Sequence, residues 1–216
     1  MRPSPFRVIL SAETRYLAPA IALAVVVLAA LPLLTIQAEP VPGIGGDRID
    51  ILLSQAAYFS PFYPAIAVAL GAFLAAANWL PDVRGRWVYA FTLPVPRERL
   101  ALLRLGAGAV LAFPPVFALW AAGTLGALAA ELPAVVQSHA TSIALRFGAA
   151  TMVVYCAGSL LVLLGRKAWY IVAFLVALVM LDFFGIGVAS AMADALFLHP
   201  LSPFHALAGH WLFLDV

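Results

Sequence analysis

The hydrophobic residues of this chain fall into long runs that are separated by short polar segments. The runs cover residues 17–36, 62–80, 105–130, 143–164 and 168–188. Each is close to the roughly 20 residues that a helix needs to cross the hydrocarbon core of a bilayer. The apolar residues are continuous rather than alternating, which is unlike the pattern of a membrane β-barrel. The pattern therefore predicts an all-α, polytopic integral membrane protein with five transmembrane helices.

Two segments lie outside these runs. Residues 1–16 combine arginines with apolar side chains, which predicts a short N-terminal elbow that lies in the membrane interface. Residues 189–216 are apolar but are broken by two prolines and a glycine, so that neither half reaches the length of a span. We expect this tail to be interfacial or re-entrant. The predicted organisation is thus an elbow, a transmembrane domain over residues 17–188 and a C-terminal tail.

Composition and charge placement support this picture and orient the chain. The sequence is 65% hydrophobic and 10% charged, with a mean hydropathy of +1.05, which excludes an ordinary soluble domain. Of the 12 lysines and arginines, ten lie in residues 1–16, 81–104 and 165–167. These three segments share one side of the membrane if the chain crosses five times. The positive-inside rule then predicts a cytoplasmic N-terminus.

The segment 81–104 carries the densest positive charge together with a distinctive local pattern. Val83, Trp87 and Phe91 are spaced i, i+4 and i+8, so a helix would align them as one apolar stripe. A Leu-Pro-Val-Pro sequence then breaks the helix, because proline disfavours helix in the residue before it. Pro96 suits the first position of a new helix beginning at Arg97. The pattern favours a surface that docks a cytoplasmic partner; the alternative is a topology signal that binds anionic lipid headgroups.

Few residues within the predicted spans suggest chemistry. Asp182 lies in an apolar run and would suit a proton relay, but a position near water at the end of a span is the more frequent case. His199, His205 and His210 lie too irregularly to share a helical face as metal ligands. Cys156 is expected to be a small packing residue. No catalytic or nucleotide-binding motif is visible, so we expect no enzyme activity, metal or cofactor in this chain.

The order of features around residue 90 resembles that of ABC-2-type transport permeases. In that family the second span is followed by an acid, a glycine, a hydrophobic helix and a Leu-Pro-Val-x-Arg turn that leads into the third span. The matching residues are Asp82, Gly85, Leu93, Pro94, Val95 and Arg97, with Pro96 at the usual serine and an aspartate at the usual glutamate. The family also has an N-terminal interfacial elbow and re-entrant helices after its fifth span, which residues 1–16 and 189–214 resemble.

The resemblance implies a function and a set of partners. It implies a permease subunit of a bacterial inner membrane that couples a separate cytoplasmic ATPase subunit to the export of a substrate. Such chains pair as homo- or heterodimers, and membrane lipids are a further expected partner, whereas nucleic acid is not. Residues 82–93 would form the coupling helix. The implied partner-binding residues are Asp82, Val83, Arg84, Arg86, Trp87, Phe91, Leu93, Pro94 and Arg97.

A second hypothesis comes from a different class of protein. The chain would be a non-transporting structural or assembly subunit of a larger membrane complex, respiratory or photosynthetic. The scarcity of polar residues within the predicted spans favours it, as does the lack of a clear sixth span. Co-purification with an ATPase would favour the permease, and co-purification with a pigment or redox complex would favour the structural subunit.

Overall fold

The chain is helical throughout the part that the structure describes. A computed structural model describes residues 5–36, 58–84, 96–129 and 134–183, and five single positions between 191 and 202. Over these residues there is no β-strand, which confirms the all-α prediction. The helices are α1 (Pro5–Ile36), α2 (Phe62–Arg84), α3 (Arg97–Ala129), α4 (Ala134–Leu164) and α5 (Ala168–Phe183), with a 3₁₀ turn at Gly165–Lys167 before α5.

The first four helices are long and apolar enough to cross a membrane. Their apolar segments are Pro5–Leu34, Phe62–Trp79, Glu98–Ala129 and Ala140–Leu164. Many of their large apolar side chains face outward, among them Leu23 and Leu102, as expected for helices surrounded by lipid. The described part of α5 has 16 residues, fewer than a span needs. The fifth span over residues 168–188 therefore stays a prediction.

The helices are longer than the predicted spans because their polar ends are also helical. The 32 residues of α1 correspond to about 48 Å at the helical rise per residue, well above the thickness of the hydrocarbon core. Residues 5–16 are thus the first turns of α1, with no helix boundary at residue 16. Likewise α3 begins at Arg97, directly after Pro96 as the sequence predicts, and the polar residues 97–104 continue into the apolar run as one helix.

The short polar segment 131–146, which contains Glu131, Pro133, His139 and Arg146, is expected from the sequence to be a loop, and the structure corrects this expectation. Helix α4 begins at Ala134, and its apolar segment begins at Ala140. Arg146 therefore lies well inside α4 and is only partly exposed. A single arginine does not end a helix in a membrane, because its long side chain carries the charge toward the interface. The loop prediction was wrong for residues 134–146.

The helices form two parallel pairs that pack against each other. α1 packs chiefly on α3, and α2 packs chiefly on α4. Phe6 near the start of α1 lies 3.6 Å from the Cβ position of Gly106 near the start of α3, so these helices run in the same direction. In the second pair, Ala75 meets Gly158 while the earlier Gly71 meets the earlier Val154. α2 and α4 are therefore also parallel.

The two pairs are antiparallel to each other, since α3 and α4 run in opposite directions. Val116 of α3 contacts Gly148 of α4, whereas the later Trp120 bonds to the earlier Thr141. Consequently α1 and α3 begin at the same end of the bundle at which α2 and α4 finish. We call this the basic end. It carries the exposed basic residues Arg7, Arg15, Arg99 and Lys167, which come from the three segments whose charge predicts the orientation.

Candidate functional site

Those implied partner-binding residues that the structure describes lie at the basic end. Asp82, Val83 and Arg84 belong to the last turn of α2, and Arg97 is the first residue of α3. The others lie outside the described residues: Arg86, Trp87, Phe91, Leu93 and Pro94. Both helix ends that flank the segment 85–95 thus lie at the basic end. Just inside these ends, a buried polar cluster connects the two helices.

Asn78 is the centre of this cluster, where α2, α3 and α4 meet. Its side chain is 5% exposed. The amide nitrogen donates to the backbone oxygen of Arg104 at 3.0 Å and to the hydroxyl of Tyr155 at 2.7 Å. Arg104 in turn donates from Nη1 to the backbone oxygen of Asn78 at 3.2 Å. These bonds join α2 to α3 in both directions and to α4 at the same point.

Tyr155 reaches the cluster from α4 and lies across α3. The residue is fully buried, and its hydroxyl lies 3.3 Å from the backbone oxygen of Arg104 and 3.4 Å from that of Leu105, so it can donate to either. Gly108 makes this approach possible. A Cβ at that position would overlap the phenol oxygen and lie 3.0 Å from ring carbon Cε2. The position of Tyr155 therefore depends on the missing side chain of Gly108.

Arg104 lies inside α3 and is half-buried, although it belongs to the segment 81–104 that the sequence predicts to be a polar surface segment. Its guanidinium carbon is 5.8 Å from the centroid of the buried Trp79 ring, which is at the outer limit of a cation–π contact. Glu13 of α1 is close enough to Tyr155 to act on it electrostatically. The cluster thus includes a cation and joins α2, α3 and α4, with an acid of α1 within electrostatic range.

Two further hydroxyl groups on α4 lie on the face that carries Tyr155. Thr151 and Ser159 are one turn before and one turn after it, and both are buried. Ser159 lies close to the Tyr155 phenol, but neither hydroxyl forms a hydrogen bond of good geometry with any described residue. The same holds for the side-chain oxygen of Asn78. Within the described part of the chain, the cluster therefore has more hydrogen-bonding groups than it uses.

The position of the cluster along the bundle follows from its residues. Asn78 and Trp79 lie near the end of α2, and Arg104 lies near the start of α3. The cluster therefore lies toward the basic end of the bundle rather than at its middle. Among the described residues there is no group of three or more potential metal ligands. The arrangement is suited to joining helices.

Neither Asn78 nor Tyr155 stands out in the sequence as a candidate. The available signal for Asn78 was a lone amide inside an apolar run, a residue type that is costly there unless it is bonded. Tyr155 lies among many apolar residues, and nothing in its surroundings distinguishes it. The expectation that Cys156 packs inside was wrong: it is exposed. The inward face of α4 is occupied by Tyr155 and Ser159, so residue 156 points away from it.

Comparison with known proteins adds no family to this description. No protein-family model matches the chain, and neither a curated protein nor a solved structure matches it.

Proposed function

We propose that the chain is the transmembrane permease subunit of an ABC-2-type transporter in a bacterial inner membrane, with its basic end in the cytoplasm. A separate ATPase docks on residues 82–93, and its movements drive the export of a substrate. The chain pairs with a second permease chain around the transport path. ATP hydrolysis belongs to the partner.

The observation that carries the proposal is how the ends of the segment 85–95 are anchored. The helices that flank it, α2 and α3, are joined by the reciprocal hydrogen bonds of Asn78 and Arg104. α4 is joined to them through Tyr155. A force on the segment would therefore reach three long helices at once, as a coupling element requires. A segment that only sets topology needs no such connection.

The charge of the basic end supports docking of a partner at this place. Arg99 near the start of α3 and Lys167 after α4 are exposed at this end of the bundle. Positive charges around an apolar centre guide an acidic partner surface and raise its association rate. In this arrangement Trp87 and Phe91 provide the affinity, and the basic residues form the rim.

The decisive experiment is a pull-down of the full-length chain from its own cells in mild detergent, with the ATPase activity of the eluate as readout. Trp87→Ala removes an aromatic anchor, which commonly contributes about 2 kcal/mol, roughly a 30-fold change in affinity. We expect the retained ATPase activity to fall by about that factor. Arg84→Ala should act more weakly, and its effect should fade in high salt because it is a rim charge.

A matched control is Trp120→Ala, at the opposite end of the bundle. Trp120 is partly exposed and bonds to Thr141, so its loss perturbs the protein without touching the docking segment. Retained ATPase activity in this variant, with loss in Trp87→Ala, is the expected pair of results. If ATPase activity is equally retained in both variants, or if none is retained by the wild-type chain, the coupling proposal fails.

The structural-subunit hypothesis has one observation in its favour. Trp169, Tyr170 and Phe174 of α5 are 73%, 78% and 57% exposed, and α5 makes little contact with α4 beyond the turn that joins them. A broad aromatic surface of this kind suits packing against another membrane subunit. Recovery of a pigment or redox complex instead of an ATPase would select this hypothesis.

A further inference from the structure

We propose that one face of α1 lines the transport path and receives an anionic substrate there. The face consists of Arg7, Ser11, Thr14 and Arg15, all of them exposed, and we call it the polar stripe. The inference rests on the proposed function for the existence of a transport path. It adds where the path runs along this chain and which chemical class of substrate it carries.

The exposed surface of α1 is divided into a polar side and an apolar side near its start. The residues of the polar stripe follow one another at steps of four, three and one, so they lie within about 100° of the helix circumference. The exposed residues Val8, Ala12 and Tyr16 recur at steps of four and lie beside the stripe on the apolar side. The third side packs in the core of the bundle through Leu17 and Ile21. Lipid can therefore cover the apolar side of α1 without covering the polar stripe.

The polar stripe lies alongside the apolar part of α3 rather than alongside its polar start. Phe6 contacts the Cβ position of Gly106, which follows the start of α3 at Arg97 by nine residues. Arg15 follows Phe6 by another nine residues, which is about 14 Å farther along the bundle. Arg104, in contrast, precedes Gly106 by two residues. The stripe therefore reaches deeper into the bundle than the polar cluster does.

An exposed arginine at this depth needs a polar environment. Charged residues within membrane segments are rare, and they typically face a water-filled cavity or a substrate pathway. An arginine near a helix end avoids lipid by extending its side chain to the interface, but the distance of about 14 Å back to the level of Gly106 is roughly twice the length of that side chain. Water must therefore reach Arg15 along the polar stripe.

The chemistry of the polar stripe favours negative charge. The hydroxyls of Ser11 and Thr14 donate to backbone oxygens about one turn earlier in α1, at 2.9 and 2.6 Å, so their protons are used within the helix. The guanidinium of Arg15 has five N–H donors and a permanent positive charge, which match the carboxylate and phosphate groups of a substrate. Glu13, the nearest acid in the sequence, lies about 160° around the helix from Arg15. It therefore does not neutralise the stripe.

The test measures how fast a water-soluble thiol reagent modifies single cysteines of the full-length chain in the membranes of its own cells. Cys156, the only cysteine of the sequence, is first replaced by alanine. Thr14→Cys lies on the polar stripe, and Ala12→Cys lies on the apolar side, exposed and slightly nearer the basic end. The reactive thiolate forms in water rather than in lipid. We therefore expect the anionic reagent sulfonatoethyl methanethiosulfonate to modify Thr14→Cys about 10-fold faster than Ala12→Cys, or more.

A second set of rates tests the preference for anions, with the cationic trimethylammonioethyl methanethiosulfonate as the other reagent. A positive charge about 6 Å away in water changes the rate of each singly charged reagent about 3-fold, in opposite directions. Arg15→Gln should therefore lower the ratio of anionic to cationic rates at Thr14→Cys about 10-fold. Arg15→Lys keeps the charge and should keep the ratio. Arg99→Gln, at an exposed arginine about 24 Å away along the bundle, should also leave the ratio unchanged.

The outcomes separate the polar stripe from simpler arrangements. Equal rates at Thr14→Cys and Ala12→Cys would show that this part of α1 lies in the aqueous interface, as the sequence predicts, and that result overturns the proposal. Slow modification of both cysteines also overturns it, because the stripe is then covered. An unchanged ratio in Arg15→Gln overturns the anionic substrate class. None of these rates involves the ATPase, so failure of the stripe and failure of the pull-down are separate results.

Discussion

The two parallel helix pairs of this protein are built on different principles. Helix α1 faces α3 with aliphatic side chains, all of them large except Ala24, at alternating steps of three and four residues: Leu17, Ile21, Ala24, Leu28 and Leu31. This is the spacing of helices that interlock their side chains. The α1–α3 contact therefore depends on the volume of side chains that fill the space between the helices.

Helix α2 meets α4 through small residues instead. Gly71 lies directly over the backbone of α4: a Cβ there would be 2.7 Å from the carbonyl oxygen of Thr151 and 2.9 Å from Cβ of Val154. Farther along, a Cβ on Gly158 would be 2.9 Å from that of Ala75. Such close approach of backbones is typical of membrane helices, where small residues allow dense van der Waals contact.

The difference predicts opposite sensitivities to mutation. Lipid is as apolar as leucine, so neither pair gains stability by removing apolar surface from water. The α1–α3 pair is therefore stabilised by side chains that fill the space between the helices, and this stabilisation is lost when the side chains are shortened. The α2–α4 pair is stabilised by close contact between the helix backbones, and this stabilisation is lost when side chains are enlarged. The polar cluster also lies beside the second pair, so that separating α2 from α4 would disturb it.

The largest effect is expected for Gly71→Ala. The added methyl group meets backbone atoms, which cannot turn away as a flexible side chain can, so α2 and α4 must separate. Overpacking of this kind costs about 1–3 kcal/mol and occasionally more. The measurement is the thermal unfolding midpoint of the purified protein in detergent.

Gly148→Ala is the control for this change. It is also a glycine-to-alanine change within a long helix, so it shares the gain in helix propensity of about 1 kcal/mol. Its Cβ would meet only two side-chain carbons of Val116, at 3.4 and 3.6 Å. We expect it to be neutral or stabilising. Equal unfolding midpoints for the two variants would contradict the close-contact account of α2–α4.

A smaller effect is expected for Leu28→Ala in the first pair. Leu28 is 0% exposed, whereas Leu23 on the same helix is 66% exposed. In the core of a water-soluble protein, Leu→Ala costs about 2–5 kcal/mol of stability, part of which is the free energy of transferring the side chain from water to the core. Between lipid-embedded helices that part vanishes, and the cost of the cavity, about 1–2 kcal/mol, remains. Leu23→Ala, which opens no cavity, should shift the unfolding midpoint little; a similar shift for both would show that α1 does not interlock with α3.

The sequence predicts the helices of this fold but not how they face one another. Long apolar runs, a proline before Arg97 and polar segments were enough to place the four long helices within several residues of their ends, with larger errors where polar turns continue the helix. The packing faces could not be predicted, because a membrane helix is apolar on all sides and shows no stripe. Nothing in the run around residue 155 indicates that Tyr155 points inward and Cys156 outward.

The candidate site was predictable only in part for the same reason. The basic segment marks the end of the bundle where the cluster lies, and it includes Arg104. The partners of that arginine come from α2 and α4, at sequence separations of 26 and 51 residues. Bonds over such distances depend on which helices become neighbours. That in turn depends on the close contact that Gly71 and Gly158 allow, which becomes recognisable once the parallel pairing of α2 and α4 is known.

The smallest effect is expected at the opposite end of the bundle, for Thr141→Val. There Trp120 Nε1 donates to Thr141 Oγ1 at 3.1 Å, and both residues are exposed. The bond joins α3 to α4, as the bonds of Tyr155 do at the basic end, but its donor can turn to water or lipid headgroups when the hydroxyl is removed. Valine keeps the shape of threonine, so no cavity forms. We therefore expect a loss below the average of about 0.6 kcal/mol for a hydrogen bond between membrane helices. Thr141→Ser, which keeps the hydroxyl, should match the parent protein in the same unfolding measurement. A loss above about 1 kcal/mol for Thr141→Val would mean that an exposed bond between α3 and α4 stabilises the protein as much as a buried one. The special role given to the buried cluster around Asn78 would then lose its physical basis.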